Sequence, residues 1–168
     1  MRRTRIAIAV TAAAASIALI AVVSGCASAS AQGTTLTSAK QQTIQLENKI
    51  ASFVPQKFVK STHVTQTSKV IFPCLGKSGE SYWPGSLTLG LNTGLDDDAV
   101  LTAIASNWTN KPGWSVYKTT ATDGNQSLSI KSTKGQSFTV EFVDGPILSV
   151  SSFSACFPNA ELAGKSSY

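Results

Sequence analysis

The sequence predicts a two-layer α+β domain: a mostly antiparallel sheet with two helices on one face, closed by one disulfide. Three observations carry this. Two segments, 38–53 and 96–108, place apolar residues at helical spacing. From Trp114 onward, short runs alternate apolar and polar residues between Gly-containing turns. The resulting order is helix, three strands, helix, four strands, and clean alternation means one sheet face is buried and the other solvated, as in antiparallel sheets.

Ser38-Ala39-Lys40-Gln41 has the spacing of a capping box. Leu46, Ile50 and Phe53 then recur on one helical face, with Ala39 and Thr43 extending it toward the start, and Pro55 ends the helix. Extended runs are expected over 57–64 and 69–75. After a Gly/Ser loop, Leu87, Leu89 and Leu91 alternate with Ser86, Thr88 and Gly90 as a half-buried strand. In the second helix Val100, Leu101, Ile104 and Trp108 form one stripe. Asp97 and Asp98 occupy its first turn, where the helix dipole favours negative charge, and Lys111-Pro112-Gly113 stops it. The final meander runs through Trp114 and Val116, Leu128 and Ile130, Phe138 to Phe142, and Leu148 and Val150. Its turns are Asp123-Gly124, Lys134-Gly135 and Asp144-Gly145.

Ahead of this domain lies a segment of different character. Arg2, Arg3 and Arg5 are followed by a nearly unbroken apolar run, Ile6 to Val23, and then by Val23-Ser24-Gly25-Cys26. A basic start, an apolar stretch and small residues before a cleavage point make a secretory signal. The last four residues resemble the lipobox of bacterial lipoproteins. That resemblance implies acylation of the Cys26 thiol, cleavage after Gly25, and an extracytoplasmic domain anchored to the cell membrane by lipid. A retained transmembrane helix is the competing reading, since Ile6 to Val23 just reaches the length that spans ~30 Å of hydrocarbon. The run is Ala-rich, however, and no basic cluster follows it.

The expected organisation is therefore a signal over 1–25, lipidated Cys26 and a small polar tether over 26–37, one domain over 38–158, and a tail over 159–168. The full chain has 14 basic and 9 acidic residues. Three of the arginines leave with the signal, so the mature part is nearly neutral, with charges spread along its length. That argues against a nucleic-acid partner. With Cys26 acylated, Cys74 and Cys156 remain, and an even pair in an exported chain reads as a disulfide. Both also share the parity of apolar strand neighbours, Val70 and Phe72 for Cys74, Leu148 and Val150 for Cys156, which places them toward the core.

No catalytic constellation is readable. His63 is the only histidine and sits in a polar stretch, which reads as an exposed strand position, so a Ser-His-Asp triad or two-His metal site has little to build on. Gly76-Lys77-Ser78 imitates the end of a phosphate loop, but the earlier glycine the loop needs is Ile71. Asp96-Asp97-Asp98 lacks the alternate spacing of a calcium loop and reads as helix capping. Glu80 and Glu141 are the acids a hydrolase of envelope polymers would need. No metal or cofactor is expected. Aromatic residues offer the stronger lead: Tyr82-Trp83-Pro84-Gly85 falls in a predicted loop, where aromatics often anchor a protein or glycan partner.

A lipobox, a polar tether, a leading amphipathic helix, a central Cys, Gly-Trp before a β meander and Ser-Ala-Cys-Phe near the end resemble small actinobacterial lipoproteins of the mycobacterial LppA type. The resemblance implies an address and a non-enzymatic role, and it transfers no catalytic residue. The expected function is a membrane-anchored binding or accessory module of the cell envelope, with Tyr82 and Trp83 as candidate partner-binding residues. The alternative is a hydrolase using Glu80 or Glu141.

Overall fold

The computed structural model describes residues 34–64, 70–120, 124–143 and 145–162, all of which belong to one compact unit. The leader, Cys26 and most of the tether lie outside the described residues, as do Asp123 and Asp144 of the predicted turns. The fold is α+β. Helix α1 (Leu36–Ala51) is followed by a 3-10 turn (Gln56–Phe58) and strands β1 (Val59–Val64), β2 (Phe72–Pro73), β3 (Glu80–Tyr82) and β4 (Pro84–Leu91). Helix α2 (Asp97–Thr109) leads into β5 (Trp114–Thr120), β6 (Gln126–Ser132), β7 (Ser137–Val143) and β8 (Ile147–Phe153). The short strand β9 (Phe157–Pro158) and a 3-10 turn (Asn159–Leu162) complete it. No helix among the described residues is long and apolar enough to cross a membrane.

Six strands form an antiparallel sheet in the order β1-β4-β8-β7-β6-β5. Its registers align apolar residues into rows. Leu89 faces Leu148, which faces Phe142; Leu87 faces Val150, Val140 and Leu128 in turn; Phe138 faces Ile130, which faces Val116. These rows meet Leu46 and Ile50 of α1 and Val100, Leu101, Ile104 and Trp108 of α2 in one core. Both helices therefore lie on the same face. The residues between the apolar ones, such as Ser86, Thr88, Thr139, Ser149 and Ser151, pair across the other, solvated face. Period-2 alternation thus sorts the sheet into a dry side and a hydroxyl-rich side.

A second sheet, β2-β3-β9, was not expected from the sequence. The predicted strand over 69–75 is reduced to two residues, Phe72 and Pro73, which pair with Tyr82 and Ser81. Ser81 also pairs with Phe157. The predicted loop at Tyr82-Trp83-Pro84-Gly85 is accordingly the junction of two strands. Two further boundaries move. Helix α1 begins at Leu36, capped reciprocally by Thr35 and Ser38, so the capping box sits three residues before the expected one. The expected tail begins with an ordered turn that packs Leu162 against the core of this end.

Cys74 and Cys156 are joined, with their Cα atoms 6.3 Å apart. The pairing is as expected, but the parity argument for it fails. Val70 and Phe72, which share Cys74's parity, are 55% and 43% exposed, while Ile71 between them packs inward. Cys74 is buried because the strand ends at Pro73 and a turn follows: the Cys74 N–H donates to the Glu80 carbonyl, and the Lys77 N–H to the Cys74 carbonyl.

Candidate functional site: a basic cleft beside α1

Trp83 has no solvent exposure and is not a surface anchor. With Ala39 and Phe157 it forms a second buried cluster, flanked by Leu36, Ile44, Ile71 and Leu162. Its backbone is held from both sides, the N–H donating to Ser154 Oγ and the carbonyl accepting from the Ser154 N–H, each at 2.9 Å. Strand alternation explains the placement: Trp83 points under α1, whereas its neighbour Tyr82 points outward. The sequence shows the aromatic pair but not which member faces in. Tyr82 is half-buried in an aromatic row between Phe72 and Phe153, with ring centroids 5.7 and 5.1 Å away.

The other candidates do not converge. His63 is exposed on β1 at the sheet edge. Asp96 caps α2 by accepting from the Ala99 N–H at 3.0 Å, and Asp98 pairs with Lys118 of β5. Burial, with the adjacent Asp96 charge, holds the Asp97 carboxyl above its ordinary value of 3.8. Glu80 pairs with Lys77 at 3.3 Å across the turn it closes. Glu80 also lies near Cys74 and Cys156, the one grouping of metal-type ligands among the described residues, but those two sulfurs are bonded to each other. Neither Glu80 nor Glu141 lines the cleft beside α1 described next, or the one beside Leu91 and Asp97.

The feature that sequence reasoning missed is a cleft of about 480 Å³ between α1 and the turns at one end of the large sheet. Its first wall is a single helical stripe, Gln42, Gln45, Leu46 and Lys49, at the spacing that puts four side chains on one flank. The second is the turn Lys111-Pro112-Gly113 with Trp114 behind it, and the β6–β7 turn supplies Ser132, Thr133, Lys134 and the buried Gln136. Gly113 is in the left-handed region, at φ 78°, where a side chain would be strained. A Cβ there would also come within 3.1 Å of Thr133 Oγ1, so glycine lets the two turns close on each other.

Among the described residues, three lysines line this cleft and no acid does. The Lys111 ammonium lies 4.3 Å from the Trp108 ring centroid and 5.2 Å from that of Trp114, and Lys49 is 5.5 Å from Trp108. Trp108 and Trp114 pack against each other with ring centroids 4.7 Å apart and planes tilted by 55°. The aromatic faces attract both cations and fix them. Burial, and secondly the charge of Lys49, lower the Lys111 pKa from its ordinary 10.5. The chain spreads its lysines along its length, but the fold gathers three of them. Positions 49, 111 and 134 belong to three different elements, which is why no linear pattern announced the site. No family model, curated protein or solved structure matches the chain.

Proposed function

We propose that this protein is a lipid-anchored extracytoplasmic module of the cell envelope, of the small actinobacterial lipoprotein kind, which binds a ligand in the basic cleft and performs no chemistry on it. The observation that carries the reading is the lining: Lys49, Lys111 and Lys134 with Gln42, Gln45, Gln136, Ser132 and Thr133, without a carboxylate among the described residues. Ammonium groups held together without counter-charge favour an anionic group placed among them, and they do so more strongly where burial removes water. The amides and hydroxyls around them can donate to and accept from a polyhydroxylated body, as cleft sites commonly do. A lysine-rich site of this kind suits retention of a carboxylated or phosphorylated envelope glycan. The address rests on Val23-Ser24-Gly25-Cys26 behind a basic, apolar leader.

Calorimetric titration with oligosaccharides of glucuronic acid, with neutral cello-oligosaccharides in parallel, tests the reading. Binding of the acidic oligosaccharide alone, lost by roughly tenfold or more in Lys49→Gln/Lys111→Gln, is the expected result, since one charge-assisted contact is worth ~1.5–3 kcal/mol. Equal binding of the neutral series, or acid binding indifferent to both lysines, overturns it.

A further inference from the structure

The end of the domain that carries the disulfide exposes an unusual amount of apolar surface. Leu75 is fully exposed, at 101%, Val70 is 55% exposed, and Phe72 and Phe153 are 43% exposed each. Tyr82 joins the last two into one row. Phe153 pairs with Ser137 and Pro84 on the face away from the helices, so the row lies on the outer side of the sheets. Leu75 sits at the tip of the turn between β2 and β3, beside the exposed Lys77, and the bridge from Cys74 to Cys156 ties the base of that turn to the domain.

We propose that this patch lies against the lipid surface, with Leu75 entering the headgroup region and Phe72, Tyr82 and Phe153 resting on it. The proposal rests on acylation of Cys26. Its argument is where the chain enters the fold. Leu36, in the first turn of α1, packs on the Trp83–Phe157 cluster, and Trp83 follows Tyr82 directly. The first helical turn and the aromatic row therefore occupy opposite faces of the same end of the domain. Nine peptide steps separate Cys26 from the cap residue Thr35. They span at most about 30 Å when fully extended. An acylated Cys26 keeps this end, and not the opposite one, within reach of the bilayer, so the patch meets lipid at high effective concentration.

The chemistry of the patch fits that occupant. Aromatic rings, Tyr among them, favour the interfacial zone, where the exposed Lys77–Glu80 pair beside the apolar tip stays in contact with water. Three backbone hydrogen bonds close the turn. The Cys74 N–H donates to the Glu80 carbonyl, the Lys77 N–H to the Cys74 carbonyl and the Glu80 N–H to the Lys77 carbonyl. An orientation with this end down holds the domain by two contacts, the acyl chains and the patch.

The test uses the mature acylated protein in vesicles of phosphatidylethanolamine and phosphatidylglycerol that contain a phospholipid with a photoactivatable group near the top of its acyl chain. Peptide mapping after illumination should place label on residues 70–75 and on Phe153, and not on Tyr117, which is 57% exposed on the far edge strand β5. Leu75→Ser and Phe153→Ser, both at exposed positions, should together reduce that label by roughly fivefold or more, each removing apolar area from the contact. Label equal at Tyr117 and Leu75, label confined to the tether, or a protein–protein cross-link through Phe72 and Phe153 that marks a second copy on the patch, overturns the proposal. Intact mass of the same sample reports acylation. Acylated protein with an unlabelled patch sinks the orientation alone, whereas unacylated Cys26 removes the envelope address and the orientation with it.

Discussion

The two ends of this domain are built on different principles. The large sheet and its helices share a core of fifteen buried apolar residues, drawn from four strands, both helices and Val54. The end beneath the small sheet has three, Ala39, Trp83 and Phe157. Its strands β2 and β9 are two residues long. What replaces area there is a covalent link, one large aromatic and a set of backbone hydrogen bonds: Ser154 to Trp83, Asn159 to Gly79, Cys74 to Glu80. A region with few buried contacts is a region that opens locally. The comparison therefore says that the membrane-proximal end proposed above is the less cooperative part of the fold, and that Trp83 and the disulfide are what keep it closed.

Removing Trp83 should have the largest effect. Trp83→Ala should destabilise the domain by ~3–5 kcal/mol, the usual range for a buried aromatic whose cavity cannot collapse. It should also increase amide exchange in the first two turns of α1, which rest on the ring through Leu36 and Ala39. Denaturant melts with hydrogen exchange check both. A variant that melts like the parent would mean that this cluster contributes little and that the contrast between the two ends is overstated.

Opening the bridge comes next. The loop it closes has a sequence separation of 82 residues, for which the chain-entropy model gives about 4.5 kcal/mol, and measured losses for native bridges are typically ~2–5 kcal/mol. Cys74→Ser/Cys156→Ser should lose ~2–4 kcal/mol. The diagnostic is where. Exchange should rise over 71–82 and 156–162 while the amides of β6 and β7 stay protected. Uniform loss of protection would show a single cooperative unit.

How far the sequence announced these two ends follows from the same contrast. Leu87, Leu89 and Leu91, Phe138 and Val140, Leu148 and Val150 repeat at the strand period, and Val100, Leu101, Ile104 and Trp108 at the helical one, so the large core is legible without coordinates. The small sheet is not, because strands of two residues have no period to display. Parity even misleads there: Val70 and Phe72 look like the inward set, yet Ile71 faces the core, since the segment's partners are Tyr82 and Ser81 and not the large sheet. Trp83 looks like a loop aromatic in the sequence for the same reason. The basic cleft escapes for another, that its lysines converge only through tertiary packing.

Gly85 allows a finer test at the boundary between the two ends. It pairs with Ser152 across β4 and β8, beneath the buried Glu47, whose carboxyl accepts a hydrogen bond from Ser152 Oγ. A Cβ at this position would lie 2.6 Å from Glu47 Oε1 and 2.6 Å from the Trp83 ring. Neither neighbour is free to move: both are completely buried. Gly85→Ala should therefore cost ~1–3 kcal/mol, as overpacked sites do, and should weaken both clusters at once. Thermal melts measure the total. Exchange at α1, which carries Ala39 and Ile50 into the two clusters, reports whether they loosen together.

The smallest effect is expected at Lys111, and it concerns pH. Burial and the neighbouring Lys49 lower its pKa in the folded state below the ordinary 10.5. Between the lowered value and 10.5 the unfolded chain binds more protons than the folded one, so stability should rise with pH across that window. Below it the cost of keeping Lys111 charged is present in full; above 10.5 it is gone. Lys111→Gln should flatten this rise, leaving a difference between variant and parent that is largest near neutral pH and vanishes at the alkaline end. Lost attraction to Trp108 and Trp114, ~0.5–1 kcal/mol for an exposed cation–ring contact, opposes the gain and keeps the net change small. Denaturant titrations of both proteins from neutral pH to above 10.5 measure it. Parallel curves would mean that Lys111 titrates as an ordinary lysine and that the cleft holds its charge without strain. A bound carboxylate should have the opposite influence. It stabilises the ammonium form, so acidic-oligosaccharide affinity should fall as pH rises through the same window, and this loss should be absent in Lys111→Gln.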